Sequence, residues 1–204
     1  LEDVISIAVA GSTDKAEGWT FTDEPGTIPD TANDIFRLHE VYTKADPGYT
    51  GRVTVPTLWD KKNQTIVNNE SSEIIRMFNN AFERAGANTE TADFYPEDLA
   101  PEIDAINDMV YVNVNNGVYR CGFATSQGAY EEAFDRLFNA LDELEARLSN
   151  QRYLVGGRLT EADWRLFSTL LRFDIVYYGN FKCNKKHIYE YPNLWNFTCE
   201  LYQH

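Results

Sequence analysis

The stretch that decides the fold runs Val53-Thr54-Val55-Pro56-Thr57-Leu58-Trp59-Asp60. Its alternation is typical of a short strand, and a second strand is predicted at 65–67 after the turn 61–64. A proline in such a pattern is confined to sheet edges, first strand positions or special turns. A cis bond between Val55 and Pro56 would turn the Val55 backbone outward, where an extended peptide ligand can pair with it.

A polar run directly precedes the next apolar segment, in the order Asn68-Asn69-Glu70-Ser71-Ser72. This pattern indicates a helix N-terminus, whose free amides and positive dipole end attract a carboxylate, and Glu70 can accept an ammonium group. The same residues are also what an ordinary capped helix needs, and on the residues alone this simpler interpretation is the better one. The helix is predicted over 72–85 from the spacing of its apolar residues, Ile74, Ile75, Phe78 and Phe82.

Three further features lie upstream. The β-branched run 4–10 predicts a buried strand that ends at Gly11. Trp19 and Phe21 stand in a polar loop, where they either fill a groove or contact a ligand. A short helix is expected over 31–44, before the stop at 46–48.

The remainder of the chain is predicted to be helical after a polar linker at 86–93. One helix is expected to start at 96–98, and Tyr111 lies off its apolar stripe, in line with Asp104, Asp108 and Asn115. Tyr111 therefore lines a cleft or lies over the helix surface, and the residues do not decide between these alternatives.

Strong periodicity over 126–149 predicts a core helix. Thr160-Glu161-Ala162-Asp163 has the form of a capping box that starts the next helix, and a last helix is expected over 193–202.

Composition excludes several classes of function. The chain has 204 residues, 43% of them hydrophobic, which is enough for a substantial core. A net charge of −14 without a basic cluster argues against nucleic acid and anionic membranes as partners, and there is no apolar run of membrane-spanning length. The three cysteines form no C-x-x-C pair, so we expect a reducing, cytoplasmic location. Cys183 and His187 can share one helical face, but two ligands do not make a zinc site, and no metal is predicted.

Several ordered segments resemble one family, the Xi-class glutathione transferases, or glutathionyl-hydroquinone reductases. They are the Val-Pro stretch 53–60, the segment 68–76, and the three segments Asn115-Asn116-Gly117-Val118-Tyr119-Arg120-Cys121-Gly122-Phe123-Ala124, Leu159-Thr160-Glu161-Ala162-Asp163-Trp164-Arg165-Leu166 and Phe181-Lys182-Cys183-Asn184. The resemblance covers the whole chain.

The resemblance implies an α/β plus all-α fold in two domains. Residues 1–86 would form a thioredoxin-like glutathione-binding domain that lacks its first strand and helix, and residues 94–204 an all-helical substrate-binding domain without its tail. The family also implies a homodimer. The strand at 4–10 would have no neighbour in such a partial domain, so we expect the functional protein to contain additional chain.

Site residues follow from the resemblance by position. Val55 would pair with the cysteinyl part of glutathione, Glu70 and Ser71 would hold its γ-glutamyl end, and Trp19 would cover it. Arg52 is the first choice for the glycyl carboxylate, and Lys44 is the alternative. The aromatic substrate pocket would be lined by Tyr111 and Tyr119.

The family reaction reduces a glutathionyl-hydroquinone to the hydroquinone, with glutathione as co-substrate. A cysteine thiolate attacks the glutathione sulfur, and a second glutathione resolves the mixed disulfide. Cys121, Cys183 and Cys199 lack the family's Cys-Pro-Trp-Ala surroundings, so the nucleophile is expected before Leu1. The alternatives are an Omega-like thioltransferase or dehydroascorbate reductase, and a noncatalytic glutathione-binding module.

Overall fold

The structure is a computed structural model that describes residues 5–11, 13–14, 18–81 and 93–204. The chain divides into two units, residues 1–92 and 93–204. In the parts described, the first combines short strands with two helices and the second is helical. No helix among the described residues is long and apolar enough to cross a membrane.

Two antiparallel strand pairs lie among the described residues of the first unit. Strand β1 (Thr13–Asp14) pairs with β2 (Gly18–Trp19), and β3 (Leu58–Asp60) pairs with β4 (Thr65–Asn68). The Asp60 carboxylate closes the turn of the second pair, because its Oδ1 accepts the amides of Lys62 at 2.8 Å and Asn63 at 3.0 Å. The two strands predicted on either side of residues 61–64 are therefore present, although β3 begins later than the sequence indicated.

The strand predicted at 4–10 is not formed over residues 5–8. Only Val9 pairs, in an isolated antiparallel bridge with Ile28, and Ile7 is 65% exposed. A β-branched run becomes a strand only when a neighbouring strand takes up its amides and carbonyls. Within the described residues this run has no such neighbour, so the prediction was wrong there.

Helix α1 spans Leu38–Ala45 and begins seven residues later than predicted. Asp30 holds residues 30–34 in a turn, since its Oδ1 accepts the amides of Ala32 at 2.8 Å and Asn33 at 3.2 Å. Asp34 then adopts a positive φ of 56°, which a continuous helix excludes. The helix starts only where Glu40 reaches back to the Arg37 amide in a capping box.

Helix α2 (Ser71–Asn80) follows β4 and starts one residue before the predicted position. Its predicted apolar face is only partly buried: Ile74 is buried and Phe78 is exposed. The end of the predicted helix at Ala85 and the linker at 86–93 fall largely outside the described residues. Among the described residues of this unit, the buried core cluster contains Phe21, Leu38, Val41 and Tyr42.

The second unit begins with a long, interrupted helix. Helix α3 (Ala100–Val110) passes through a π-helical turn (Tyr111–Asn115) into α4 (Asn116–Gly122). Pro101 lies in the first turn of α3, where the absence of an amide costs nothing. The helix start predicted at 96–98 was therefore wrong, because Pro96 lies in the turn that precedes the helix.

Helix α5 (Gln127–Leu148) follows and confirms the core helix predicted over 126–149. Further helical elements come after it in the chain. They are α6 (Glu161–Arg172), a second π-helical turn (Phe173–Tyr177), α7 (Tyr178–Asn180), a 3₁₀ turn (Ile188–Glu190) and α8 (Pro192–Gln203). Leu137, Leu141 and Leu144 on α5 are fully buried. The buried face of α5 belongs to the same core cluster as buried residues of the other helices.

The predicted capping box before α6 is present and fully buried. The Asp163 carboxylate accepts the Thr160 amide at 2.8 Å, the Thr160 hydroxyl at 3.0 Å and the Leu154 amide at 2.8 Å. Burial raises the pKa of Asp163, and these three hydrogen bonds oppose that shift. The box thus fixes both the start of α6 and the loop that leads to it.

Candidate functional site

Val55 occupies an open position in the first unit. The Val55–Pro56 peptide bond is cis, as the sequence indicated, and Val55 is 45% exposed. Within the described residues, neither its amide nor its carbonyl has a hydrogen-bond partner. Both groups are therefore available to an extended ligand backbone.

Glu70 and Ser71 form the N-terminus of α2. Glu70 is the N-cap residue, and its Oε1 accepts from the Ser72 amide at 3.4 Å and the Ser72 hydroxyl at 3.2 Å. In the part of the chain that the structure describes, the Ser71 amide and hydroxyl bind no other group. The side chains of Glu70 and Ser71 are both exposed. Glu70 thus caps the helix with one oxygen, and the free donors of Ser71 face solvent beside it.

We call Val55, Glu70 and Ser71 together the clamp. The buried hydroxyl of Tyr42 connects the segment before Val55 with the segment before Glu70. The Tyr42 hydroxyl donates to the Thr54 carbonyl at 2.8 Å and accepts from Asn69 at 3.2 Å. Burial by itself raises the pKa of Tyr42, but the hydrogen bonds donated by Thr57, Thr54 and Asn69 outweigh it and lower the pKa.

The two cations predicted for the glycyl carboxylate differ in their surroundings. Lys44 donates from Nζ to Asn33 Oδ1 at 2.8 Å and lies 5.8 Å from the centre of the Trp59 ring. Arg52 is exposed, and its guanidinium contacts no acceptor among the described residues. Its own carbonyl accepts the Tyr49 hydroxyl at 2.6 Å. Arg52 is therefore the more available cation.

Trp19 and Phe21, the two aromatic residues of the polar loop, differ in their burial. Phe21 is buried and belongs to the core of the first unit. Trp19 is half-buried in β2 and packs against that core. Of the two, Trp19 alone keeps surface that a ligand can contact.

In the second unit, Tyr111, Asn115 and Tyr119 form a row along the interrupted helix. Val110, Val114 and Val118, the residues that directly precede them, are all fully buried. Tyr111 is 49% and Tyr119 45% exposed, and Asn115 is half-buried between them. The Asn115 amide donates to Thr169 Oγ1 at 2.7 Å and to the Arg165 carbonyl at 3.1 Å, which attaches the π-helical turn to α6.

Tyr119 belongs to a cluster of aromatic rings. Its ring centre lies 5.8 Å from that of Tyr177, 5.3 Å from that of Phe181 and 6.2 Å from that of Phe123. The Tyr119 and Tyr177 hydroxyls are 3.4 Å apart, and burial first and this hydrogen bond second raise the pKa of Tyr177.

A cleft of about 630 Å³ opens beside this cluster. Tyr119, Phe123, Arg120 and Arg136 contribute aromatic and cationic surface to it. Tyr111 is not among its lining residues. The structure therefore places the two predicted substrate tyrosines in one row, but only Tyr119 at this cleft.

The three cysteines lie in the second unit. Cys121 and Cys183 are buried and Cys199 is half-buried. The hydrogen bond with the Cys121 thiol, and then burial, raise the pKa of Cys183, which is the opposite of what a nucleophile needs. Cys183 and His187 lie in non-helical chain and not on one helical face, and the described residues contain no group of three or more metal ligands.

Comparison with known proteins places this geometry in a family. Residues 127–198 match the model described as "Glutathione S-transferase, C-terminal domain". The chain is 50% identical to glutathione transferase Xi 1 from Trametes versicolor, with a TM-score of 0.94 over 99% of this chain and 71% of that one. The chain belongs to the Xi class of the glutathione transferases.

Two curated relatives of this Xi-class chain match over all of its 204 residues. Glutathionyl-hydroquinone reductase PcpF of Sphingobium chlorophenolicum is 53% identical, and glutathionyl-hydroquinone reductase YqjG of Escherichia coli is 52% identical. The glutathione-bound structure of YqjG superimposes with a TM-score of 0.94 over 99% of this chain and 65% of that one. The chain spans 64% of the length of PcpF and 62% of that of YqjG.

These matches confirm the predicted Xi-class fold, a thioredoxin-like α/β domain followed by an all-helical domain. The sequence interpretation missed Tyr42, Tyr177 and Phe181 as neighbours of the predicted site residues. A signal for Tyr42 was present: a tyrosine at a core position of a helix needs a buried partner for its hydroxyl. For Tyr177 and Phe181 the sequence offers only a local abundance of aromatic residues.

Proposed function

We propose that this chain is part of a glutathione-dependent enzyme that reduces glutathionyl-hydroquinones to hydroquinones. The observation that carries the proposal is the clamp: an exposed Val55 whose amide and carbonyl have no partner among the described residues, and a helix N-terminus at which Glu70 and Ser71 face solvent. The relatives PcpF and YqjG, named for this activity, support the choice of reaction.

Each part of glutathione has a complementary group in the first unit. The Val55 amide and carbonyl would pair with the cysteinyl backbone. The Ser71 amide and hydroxyl would donate to the γ-glutamyl carboxylate at the positive end of α2, and Glu70 would accept from the ammonium group. The Arg52 guanidinium would bind the glycyl carboxylate, and Trp19 would cover the ligand. Glutathione is thus the co-substrate in this proposal.

The reaction transfers one glutathionyl group from an aromatic carbon to a cysteine sulfur, and then to the sulfur of a second glutathione. A thiolate attacks the sulfur of the conjugate, the carbon–sulfur bond breaks, and the aromatic carbon takes up a proton to give hydroquinone. A second glutathione thiolate then attacks the mixed disulfide and releases glutathione disulfide. Cys121 and Cys183 are buried, and Cys199 lies in the second half of α8, so none of the three thiols lies at a helix N-terminus that would stabilise a thiolate. We therefore propose that the nucleophilic cysteine lies outside residues 1–204.

In the helical unit, Tyr119 is the better supported of the two substrate tyrosines. It lies at the cleft with Phe123, and its hydroxyl is held by Tyr177. A quinol ring can stack on such a surface while its oxygen binds a phenol hydroxyl. Tyr111 remains a proposal from its position in the row alone. A homodimer and a cytoplasmic location likewise stay proposals.

The activity is tested with the full-length protein, glutathionyl-hydroquinone and glutathione. We expect one free hydroquinone and one glutathione disulfide for each conjugate consumed, measured by chromatography. Release of hydroquinone without glutathione disulfide would contradict the mechanism. Faster turnover of dehydroascorbate or of a mixed disulfide would favour an Omega-like thioltransferase, and glutathione binding without any turnover would favour a noncatalytic module.

The clamp is tested by two substitutions of Glu70. Glu70→Gln keeps an oxygen for the Ser72 amide and removes only the charge, whereas Glu70→Ala also removes the helix cap. We expect Glu70→Ala to weaken glutathione binding by about 1.5–3 kcal/mol, the value of a hydrogen bond to a charged group, and Glu70→Gln to account for most of this loss. Calorimetry measures both.

A matched control is Glu24→Ala, which removes an exposed carboxylate of the same unit. Its affinity for glutathione should equal that of the wild type. Equal losses for Glu24→Ala and Glu70→Ala would mean that only the net charge matters, and would contradict the assignment of Glu70.

A further inference from the structure

The Tyr42 hydroxyl is the centre of a small hydrogen-bond network. It donates to the Thr54 carbonyl at 2.8 Å. It lies 3.4 Å from the Thr54 amide, 3.4 Å from Thr57 Oγ1 and 3.2 Å from Asn69 Nδ2, all of which donate to it. One oxygen therefore contacts three residues that are distant from Tyr42 in sequence.

These partners flank the clamp on both sides. Thr54 directly precedes Val55, and Asn69 directly precedes Glu70. Asn69 also donates to Thr54 Oγ1 at 3.0 Å, so that the two segments are joined directly as well as through Tyr42. The backbone that would pair with the cysteinyl part of glutathione and the carboxylate that would bind its ammonium group are each one residue away from this network.

The phenol oxygen is held in place by the core of the first unit. Tyr42 is 4% exposed and packs with Phe21, Leu38 and Val41. Its helix, α1, is therefore anchored on the side from which the hydroxyl projects. A buried hydroxyl with this many partners is costly to disturb, because the partners would lose hydrogen bonds that water does not replace.

A second tyrosine extends the same arrangement to Arg52. The Tyr49 ring lies 5.0 Å from that of Tyr42, at an interplanar angle of 45°. Its hydroxyl donates to the Arg52 carbonyl at 2.6 Å. The hydroxyls of these two tilted tyrosines thus contact the backbone on both sides of residue 53, and they fix the segment that carries the cation.

We propose that Tyr42 is a positioning residue, whose hydroxyl holds the Val55 backbone and the Glu70 carboxylate at the separation that glutathione requires. The proposal rests on the proposed glutathione binding and adds a residue that does not touch the ligand. Without the hydroxyl, the loop 54–57 and the N-terminus of α2 would keep the direct hydrogen bond from Asn69 to Thr54 but lose their shared partner in the core, and the ligand would have to order them when it binds.

The test is Tyr42→Phe in the full-length protein, which keeps the ring, its packing and its contact with Tyr49. We expect the Kd for glutathione to rise roughly tenfold, as the loss of this network implies. The KM for glutathione should rise by a similar factor while kcat changes less than about twofold, because the reacting groups themselves are unchanged. A role in stability alone would lower the melting temperature and leave Kd and KM unchanged, and would overturn the proposal.

The matched control is Tyr153→Phe in the helical unit. It removes a hydroxyl that donates to Glu200 Oε1 at 2.8 Å, far in sequence from the clamp. Its Kd for glutathione should equal that of the wild type. If Tyr153→Phe weakens binding as much as Tyr42→Phe does, the effect is a general loss of stability and the proposal fails.

A second variant applies if Tyr42→Phe does not fold. Asn69→Ala changes an exposed residue and leaves the core intact, and it should raise the Kd roughly fivefold with little change in melting temperature. Wild-type affinity in Asn69→Ala would count against Tyr42. If the wild-type protein does not bind glutathione, the proposed function is refuted, and with it the role of Tyr42. If the wild type binds glutathione and the variants bind it equally well, only the positioning role of Tyr42 is refuted.

Discussion

At Gly122, the addition of a single methyl group should lower the stability of the protein measurably. A Cβ atom there would lie 2.5 Å from Phe181 Cγ, 2.7 Å from Cδ2 and 3.0 Å from Cβ. Carbon atoms in contact are normally about 3.5–4.0 Å apart, so the Phe181 side chain would have to move by about 1 Å. Its ring is enclosed by those of Tyr119, Tyr177 and Phe123, each with its centre 5.3 Å away.

The expected loss of stability in Gly122→Ala is the difference between two opposing contributions. Overpacking of this kind costs about 1–3 kcal/mol, and the upper end applies because one of the close atoms, Phe181 Cβ, is attached to the backbone. Replacing glycine by alanine in a helix returns about 1 kcal/mol. We therefore expect Gly122→Ala to lower the free energy of unfolding by about 1–2 kcal/mol, measured by urea denaturation at constant m-value.

The control for this prediction is Gly128→Ala in the first turn of α5, where a Cβ atom meets nothing within 4 Å. Its stability should equal that of the wild type or exceed it by up to about 1 kcal/mol. Adding Phe181→Leu to Gly122→Ala should make the two changes cost less together than separately, because the smaller side chain relieves the contact. A Gly122→Ala protein as stable as Gly128→Ala would refute the reasoning.

Three further predictions concern the helical unit. Asp163→Asn should lower the free energy of unfolding by about 2–4 kcal/mol in urea denaturation, because the new amide places a buried N–H donor against another N–H group. The matched change is Glu190→Gln at the 3₁₀ turn, where the exposed Glu190 carboxylate accepts the His187 amide in a second capping box, and it should cost less than about 1 kcal/mol. The hydrogen bond from Arg152 lowers the pKa of Glu200, so its contribution is present at neutral pH and lost as the pH falls through that lowered pKa. The stability difference between Glu200→Gln and wild type should be below about 1 kcal/mol at pH 7, since Arg152 is exposed to solvent, and vanish in acid. Asn115→Ala should speed amide hydrogen exchange within 111–119 and little elsewhere, and uniform exchange rates would contradict the anchoring role.

Local signals predicted the elements whose stabilising partners lie close in sequence. The capping box of Thr160 and Asp163 and the core helix 127–148 are both encoded within one or a few helical turns. The strand pair around residues 61–64 is also local, because Asp60 closes its own turn. In each case the sequence contains both the element and the group that ends or starts it.

The wrong predictions depend on partners that the local pattern does not contain. A β-branched run at 4–10 carries the composition of a strand, but a strand needs a neighbour. The start of α1 was misplaced because Asp30 bonds its own backbone and competes with the helix. The contacts of Tyr42 with residues 54, 57 and 69 join segments that only the tertiary structure brings together.

The π-helical turn has a consequence for the outer surface of its helix. In a regular α-helix, three residues spaced by four wind around the axis by about 80°, since each turn takes 3.6 residues. Here Val110, Val114 and Val118 are all fully buried, so the row beside them, Tyr111, Asn115 and Tyr119, keeps to one side of the helix, with residues about 6 Å apart along the axis. A flat molecule lying along the helix can therefore meet successive side chains without curving around it. The direction of this row depends on the number of residues in the π-helical turn and not on their identity. Removing a single residue from the turn would rotate one part of the row around the helix axis relative to the other.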